Sequence, residues 1–251
     1  MDMQGHVVII GWDAFSERIT WELLNAKREV AIITQQDIGP IQEEFHDYPV
    51  QAVRRNLTSY DSFSDINIED SESVFVNLEK DEDSLIAILN MKKLYDDLEY
   101  AVILGNDDLL TTFKSAGVSY VVSKSTITAR IVTSYIYEED VAEAESDFLA
   151  ATETKDDYDI QQYVVTEENP YAKQTYGEAF WDLKNRYNIV PLGLSKPAEQ
   201  RGGERVLHKI PEDDLTVEPG DYFIVALQGK SEKHIEDVFG VTEGIIGESQ
   251  G

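Results

Sequence analysis

The chain has 251 residues, of which 42% are hydrophobic, and 49 acidic residues against 21 basic ones give a formal net charge of −28. This charge excludes a basic surface for nucleic-acid phosphates. It fits either cation sites or adaptation to high salt, and the spread of acidic residues along the whole chain favours the second. Without cysteine there are no disulfides or thiolate metal sites. Neither a membrane span nor a secretion signal is recognisable, so we expect a soluble protein that can still belong to a membrane complex.

The first half of the chain alternates apolar strands with helices. Strands are predicted at 7–10, 30–33, 50–53, 74–76, 100–104 and 120–122. Helices are predicted after the first strand, at 38–45, at 81–95 and in a short segment that reaches 116–117. Strands that are apolar throughout and alternate with helices indicate a parallel sheet covered on both faces. We therefore predict an α/β, Rossmann-like domain over residues 1–123, with helix 81–95 well buried.

The end of the first strand carries an incomplete nucleotide-binding pattern. Gly11 stands at the first position of the glycine-rich turn that cradles a pyrophosphate, but Asp13 and Ser16 stand at the second and third. The end of the second strand, 34–36, is polar but lacks the acidic residue that commonly holds a ribose. Both departures disfavour the binding of NAD through a glycine-rich turn.

The second half of the chain has a different pattern of predicted elements. A single acidic helix is predicted over 125–150 and a charged linker up to 159, so that residues 124–159 form a connecting arm that carries dimer contacts or is simply solvated. Residues 160–251 are predicted as a small α+β domain with a mainly antiparallel sheet. Its strands are predicted at 160–165, 189–194, 205–210 and 222–227, its helices at 176–184 and 231–239, and a turn at 201–204.

Five segments in this order resemble the RCK family, the regulators of potassium conductance with paired TrkA-N and TrkA-C domains. They are 6–12, 76–79, 116–123, 188–193 and 219–221. Within the family, Gly11-Trp12 and the degenerate glycine pattern are most similar to calcium-gated archaeal potassium channels. The resemblance implies a ligand-sensing ring at the cytoplasmic face of the membrane. Members pair through the long helix, assemble as eight copies beneath a tetrameric pore, and bind ligand in the cleft between lobes.

The resemblance also implies where ligands bind. The family's calcium site takes a carboxylate from the end of the fourth strand, where this chain has Asn77, and two acids after the fifth strand, where 103–105 contains none. Asp107 and Asp108 lie just beyond and are either a displaced cation site or the start of a helix.

Further ligand candidates are the polar residues at the ends of the first, fourth and fifth strands. They are Gly11, Asp13, Ser16, Asn77, Glu79 and Asn106. For Asp13 and Ser16 the simpler interpretation is helix capping, and for Glu79 it is a solvated helix start. The four histidines lack metal-ligand spacing and no catalytic constellation is recognisable, so we expect no enzyme.

The sequence predicts a gating-ring domain that controls potassium transport through a channel. The alternative is a separate regulatory subunit of a Trk- or Ktr-type uptake system that binds an adenine nucleotide. A dinucleotide-dependent oxidoreductase is the third hypothesis, which the incomplete glycine pattern opposes. The effector is not identified: a divalent cation and an adenine nucleotide are both candidates. The expected partners are further copies of the chain, as a dimer or an octameric ring, and a potassium pore.

Overall fold

The computed structural model describes residues 3–57, 66–149, 154–197 and 205–244. The chain divides into two compact units, Met1–Ala142 and Glu143–Gly251. The division falls inside the segment 124–159 that we expect to connect two domains; the bounds 1–123, 124–159 and 160–251 themselves stay a prediction. The predicted turn at 201–204 lies outside the described residues.

The N-terminal unit is built on a parallel six-stranded sheet in the order β3-β2-β1-β4-β5-β6. Its strands are β1 (Val7–Ile10), β2 (Val30–Thr34), β3 (Val50–Arg54), β4 (Ser73–Val76), β5 (Tyr100–Leu104) and β6 (Tyr120–Ser123). Its helices are α1 (Ala14–Asn25), α2 (Gly39–Glu44), α3 (Asp81–Lys92), α4 (Leu110–Ser115) and α5 (Lys124–Tyr137). The strand order reverses between β1 and β4, which makes the carboxyl ends of these two strands the switch point where such sheets bind ligands. The predicted Rossmann-like fold is confirmed.

Both faces of this sheet are covered, as the uninterrupted apolar strands require. Val8 and Ile10 of β1 face one core, to which α3 and α4 contribute Met91 and Phe113 among others. Ile9 faces the opposite core, where Phe45 is buried and Trp21 of α1 packs against it with ring centroids 4.9 Å apart. The period of two along β1 therefore distributes its side chains between two layers of helices.

Helix α3 is less buried than its composition indicates. Its buried residues are Ser84, Ala87, Ile88 and Met91, which form one stripe with helical spacing. Ile86 and Leu89 lie outside that stripe and are 56% and 42% exposed. The prediction that this helix is well buried is wrong, because apolar residues over much of its circumference cannot all reach one sheet.

The predicted single helix over 125–150 is two helices, α5 and α6 (Glu139–Leu149). They are separated at Glu138, whose φ of −144° and ψ of 71° are not helical. No residue of α5 is buried in the chain. Among the described residues, no helix combines the length and the hydrophobicity needed to cross a membrane.

The C-terminal unit has an antiparallel four-stranded sheet in the order β7-β10-β8-β9. Its elements are β7 (Tyr158–Val164), α7 (Tyr176–Tyr187), β8 (Val190–Lys196), β9 (Val206–Lys209), β10 (Tyr222–Gln228) and α8 (Gly229–Phe239). Helix α7 starts with a capping box in which the side chains of Thr175 and Glu178 each accept a backbone N–H. The core is rich in aromatic rings, with Phe223 and Phe239 edge-to-face at 5.7 Å. The predicted α+β character of this half is confirmed.

Candidate functional site at the carboxyl edge of the parallel sheet

Two places on the carboxyl edge of the N-terminal sheet hold the polar residues singled out in the sequence. We call the first the β1–β4 edge, formed by Gly11, Asp13, Ser16 and Asn77. We call the second the β5–β6 edge, formed by Gly105, Asn106, Asp107 and Ser123. The switch point of the sheet is at the first.

At the β1–β4 edge the two strand ends approach each other closely. The amide N–H of Asn77 donates to the Ile10 carbonyl at 2.8 Å, which continues the pairing of β1 with β4. Gly11 has a φ of +95°, and a Cβ on it would lie 1.9 Å from the Asn77 carbonyl oxygen. Only glycine fits there, because both the backbone conformation and the space exclude a side chain.

Asp13 occupies the N-terminus of α1. Its Oδ1 accepts the backbone N–H groups of Phe15 at 3.0 Å and Ser16 at 2.8 Å. The Nδ2 of Asn77 donates to the same Oδ1 and to the Oγ of Ser16, both at 2.8 Å. Asp13 is therefore the helix cap, and Asn77 fastens the end of β4 to the start of α1.

The capping carboxylate changes what this helix start can bind. In a dinucleotide-binding domain, the first N–H groups of this helix point at a pyrophosphate. Here the N–H groups of Phe15 and Ser16 already donate to Asp13, and its negative charge repels a phosphate. The geometry therefore disfavours a pyrophosphate at α1.

A cleft lies over this edge. One cavity of about 350 Å³ is lined by Gly11, Asp13, Asn77 and Glu79 together with Trp12, Leu57, Leu78 and the end of β2. Ser16, by contrast, is fully buried beneath it. Four of the predicted ligand residues thus line one cavity, and their role as ligand contacts stays a prediction.

Two further cavities adjoin the first through Gln35, which lines all three. The one of about 430 Å³ extends over α3 and includes Glu79 and Asp83. The other, about 540 Å³, is lined by Gln35, Arg54, Arg55 and Asn56. The cleft is therefore acidic towards α3 and basic towards β3. Arg54 ends β3 and Arg55 follows it directly, and the rule that ligands bind at strand ends could have identified them in the sequence.

The β5–β6 edge is organised by Asp107. Its carboxylate accepts the hydroxyls of Ser123, Ser125 at 2.7 Å and Thr126 at 3.4 Å. These hydrogen bonds, that of Ser123 foremost, hold the pKa of Asp107 below its ordinary value of 3.8. Asp107 therefore fastens the turn after β5 to the start of α5. The three hydroxyl residues did not stand out in the sequence, because they are common helix-start residues.

The neighbours of Asp107 belong to the same turn. Asn106 accepts the backbone N–H of Asp108 at 3.1 Å, while Asp81 at the start of α3 accepts the N–H groups of Gly105 at 3.2 Å and Asn106 at 2.8 Å. Within the part of the chain that the structure describes, no group of three or more acidic or histidine side chains could hold a metal ion. Asp107 and Asp108 begin a short 3-10 helix, Asp107–Leu109, and a cation bound to them stays a prediction.

Comparison with known proteins relates the N-terminal part of the chain to one domain family. Residues 7–124 match the model of the TrkA-N domain family. The chain carries a TrkA-N domain. The TrkA-N part of the resemblance expected from the sequence is confirmed, and the domain's matched range runs from the first residue of β1 to the first residue of α5.

Solved structures resemble the chain in fold. The human SLO3 gating ring superposes with a TM-score of 0.65 at 8% identity, over 94% of this chain and 46% of that chain. The GsuK RCK domain gives a TM-score of 0.47 at 12% identity, over 95% and 47%. The TrkA-N domain of the inner membrane protein ybaL from Escherichia coli gives 0.48 at 15% identity, over 54% and 99%.

The chain thus spans about half the length of the SLO3 gating-ring chain and of the GsuK RCK chain, 46% and 47%. No curated protein sequence matches it. At 8% identity the likeness to the SLO3 structure shows a shared fold.

Proposed function

We propose that this chain is a regulatory unit that senses a small ligand and controls potassium transport, acting as an oligomer at the cytoplasmic face of a membrane pore. The observation that carries the proposal is the extent of the likeness to a gating ring, which covers 94% of the chain, together with the TrkA-N domain. The proposal assigns regulation and not catalysis to the cleft.

The surface of α5 supports assembly with further copies. Five large apolar side chains of α5 are between 45% and 82% exposed: Ile127, Val132, Tyr135, Ile136 and Tyr137. Exposed large apolar side chains on one helix are typical of an interface. A second copy that contributes the same helix would cover it symmetrically.

The cleft supports ligand sensing. It lies at the topological switch point of the sheet, and β6 leads directly into α5. A ligand that binds one arrangement of the oligomer more tightly than another shifts the equilibrium between them by the difference in binding free energy. In this proposal the cleft is the sensor, and the α5 interface transmits its state to neighbouring subunits.

The alternative of a separate subunit for a Trk- or Ktr-type uptake system shares this unit and this cleft. The two hypotheses differ in whether a pore belongs to the same polypeptide or to a partner. Genomic context, or a longer parent chain with a pore segment, separates them. The oxidoreductase hypothesis is opposed by Asp13, whose carboxylate takes the donors that a dinucleotide pyrophosphate needs.

The first experiment measures assembly. The molar mass of the wild-type chain is determined by light scattering over a range of protein concentrations in high salt, and we expect dimers or larger rings. Ile136→Glu, at a residue that is 82% exposed, should shift the mass towards the monomer, since it places a charge in the apolar interface. Ile210→Glu is the matched control, because Ile210 is 87% exposed and lies in the other unit.

A strictly monomeric wild-type chain at high concentration and high salt would contradict the oligomeric part of the proposal. The transport part is tested in the native cell, where loss of the chain should change potassium uptake or efflux. Unaltered potassium fluxes in cells that lack the chain would contradict the transport part of the proposal.

A further inference from the structure

The basic end of the cleft stands out against the rest of the chain. Basic residues number 21 against 49 acidic ones, yet Arg54 and Arg55 are adjacent and together line a cavity of about 540 Å³. That cavity lies at the carboxyl ends of β2 and β3, on the edge where parallel sheets bind ligands. Gln35 and Asn56 add amide groups to the same lining.

Backbone and side-chain hydrogen bonds hold both arginines in place, and Nη1 of Arg55 donates to the Arg54 carbonyl at 2.9 Å. Arg54 pairs with Thr34 in the register of β2 with β3, and the N–H of Arg55 donates to the Thr34 carbonyl at 2.9 Å. The Nε of Arg54 donates to the Gln35 carbonyl at 3.0 Å, which fixes the plane of its guanidinium across the two strand ends. That bond uses Nε, so the Nη atoms of Arg54 can still donate to a ligand.

The end of the cleft at the β1–β4 edge is acidic and disfavours anions. At the β1–β4 edge the Asp13 carboxylate fills the α1 start, and Glu79 lines the adjoining cavity. A ligand with negative charge is therefore repelled from α1 and attracted to the end of β3. This polarity differs from that of a dinucleotide-binding cleft, where the phosphates lie against the first helix.

We propose that Arg54 and Arg55 bind a phosphate monoester dianion, as the anchoring group of the effector. Guanidinium groups match phosphate oxygens with paired N–H donors, and two adjacent positive charges match a dianion. Gln35 and Asn56 then orient the remainder of the ligand in the cleft. This inference rests on the proposed function, because it names the chemistry of the effector that the regulatory unit senses.

The binding of chosen probes tests this assignment. Calorimetric titrations at fixed ionic strength use inorganic phosphate, AMP, adenosine and NAD with the wild-type chain. We expect inorganic phosphate and AMP to bind. Adenosine lacks the phosphate and should bind much more weakly than AMP, and NAD, which has only bridging phosphates, should do likewise. Binding of adenosine or of NAD that is as tight as that of AMP, or tighter, would overturn the proposal.

Substitutions locate the site. Arg54→Gln and Arg55→Gln should each weaken the binding of AMP and phosphate about tenfold or more, as expected for a lost charge-assisted hydrogen bond. Arg54→Lys keeps the charge, and its affinity for AMP should lie between those of the wild type and Arg54→Gln. It replaces Arg54→Gln if that variant folds poorly. Arg186→Gln is the control, since it removes one positive charge from the other unit. Equal affinity in wild type, Arg54→Gln and Arg55→Gln would refute the site.

The same samples separate this inference from the proposed function. Their molar masses are measured alongside the titrations. An oligomer that regulates potassium transport but binds no phosphate probe overturns the anion site alone. A monomer that binds AMP through Arg54 supports the anion site and contradicts the gating assembly.

Discussion

The β1–β4 edge and the β5–β6 edge use similar residues for different purposes. Each has a glycine at the strand end, an asparagine, and an aspartate near a helix start. At the first, Asp13 accepts two backbone N–H groups and an amide from a residue 64 positions away. At the second, Asp107 accepts three hydroxyl groups at the start of α5.

The difference shows how a carboxylate at a strand end acquires its role from its donors. Asp13 takes the backbone N–H groups that bind a phosphate in dinucleotide-binding domains, and so it disfavours a phosphate at the start of α1. Asp107 takes side-chain hydroxyls and connects the sheet to α5, whose outer surface is apolar. In the proposed function, the first edge would therefore govern ligand chemistry, and the second would govern the attachment of the proposed interface helix.

The largest expected difference between the edges concerns their glycines. Gly11→Ala should lower the free energy of unfolding by about 3 kcal/mol or more, because the added Cβ meets a backbone carbonyl at positive φ. Gly105→Ala should change it by no more than about 0.5 kcal/mol, since its Cβ would lie 3.8 Å from the Asp81 carboxylate. Urea denaturation measures both, and equal effects would show that the two strand ends are not packed differently.

A smaller difference is expected for the asparagines. Asn77→Ala removes the donor to Asp13 and to the buried Ser16, and should cost about 1–2 kcal/mol. Asn106→Ala removes only a local cap on the N–H of Asp108, and should cost about 1 kcal/mol or less. A larger loss for Asn106 than for Asn77, again from urea denaturation, would contradict the assignment of Asn77 as the tertiary link.

The smallest effect is a pH dependence at the β5–β6 edge. Because folding lowers the pKa of Asp107 from 3.8, its carboxylate stabilises the fold above pH 3.8, and this stability is lost as pH falls through the lower folded value. Asp107→Asn should therefore flatten the decline of the urea midpoint below pH 4. An Asp107→Asn curve that declines as steeply as that of the wild type would refute this role of Asp107.

Most of the fold could be predicted because its signals are local. The fifth strand was predicted at 100–104 and is Tyr100–Leu104, and the glycine after β1 marks the first strand end correctly. Predictions of helix length and burial are wrong where the local sequence pattern continues but the folded structure does not follow it. The helical periodicity over 125–150 does not reveal the break at Glu138, and the apolar content of α3 does not reveal which face meets the sheet.

The candidate site could be predicted only in part. Gly11, Asp13, Asn77 and Glu79 were identified from their positions after strands, and they line one cavity. Arg54 and Arg55, at the end of the third strand, are not predicted, because the glycine pattern and the family resemblance concern the ends of the first, second, fourth and fifth strands. A cavity depends on which strand ends are neighbours, and the order of strands in the sheet is a tertiary property.

The sequence by itself determined the alternation of strands and helices, the loss of the glycine-rich phosphate turn, and the large negative charge, since each depends on residue type and short-range period. Only the tertiary structure decided that Asn77 bonds to Asp13 and Ser16, that the guanidinium of Arg54 lies across the end of β2, and that α5 keeps an uncovered apolar surface. These features join residues distant in the chain, and their contacts follow from the packing of whole elements and not from local conformational preference.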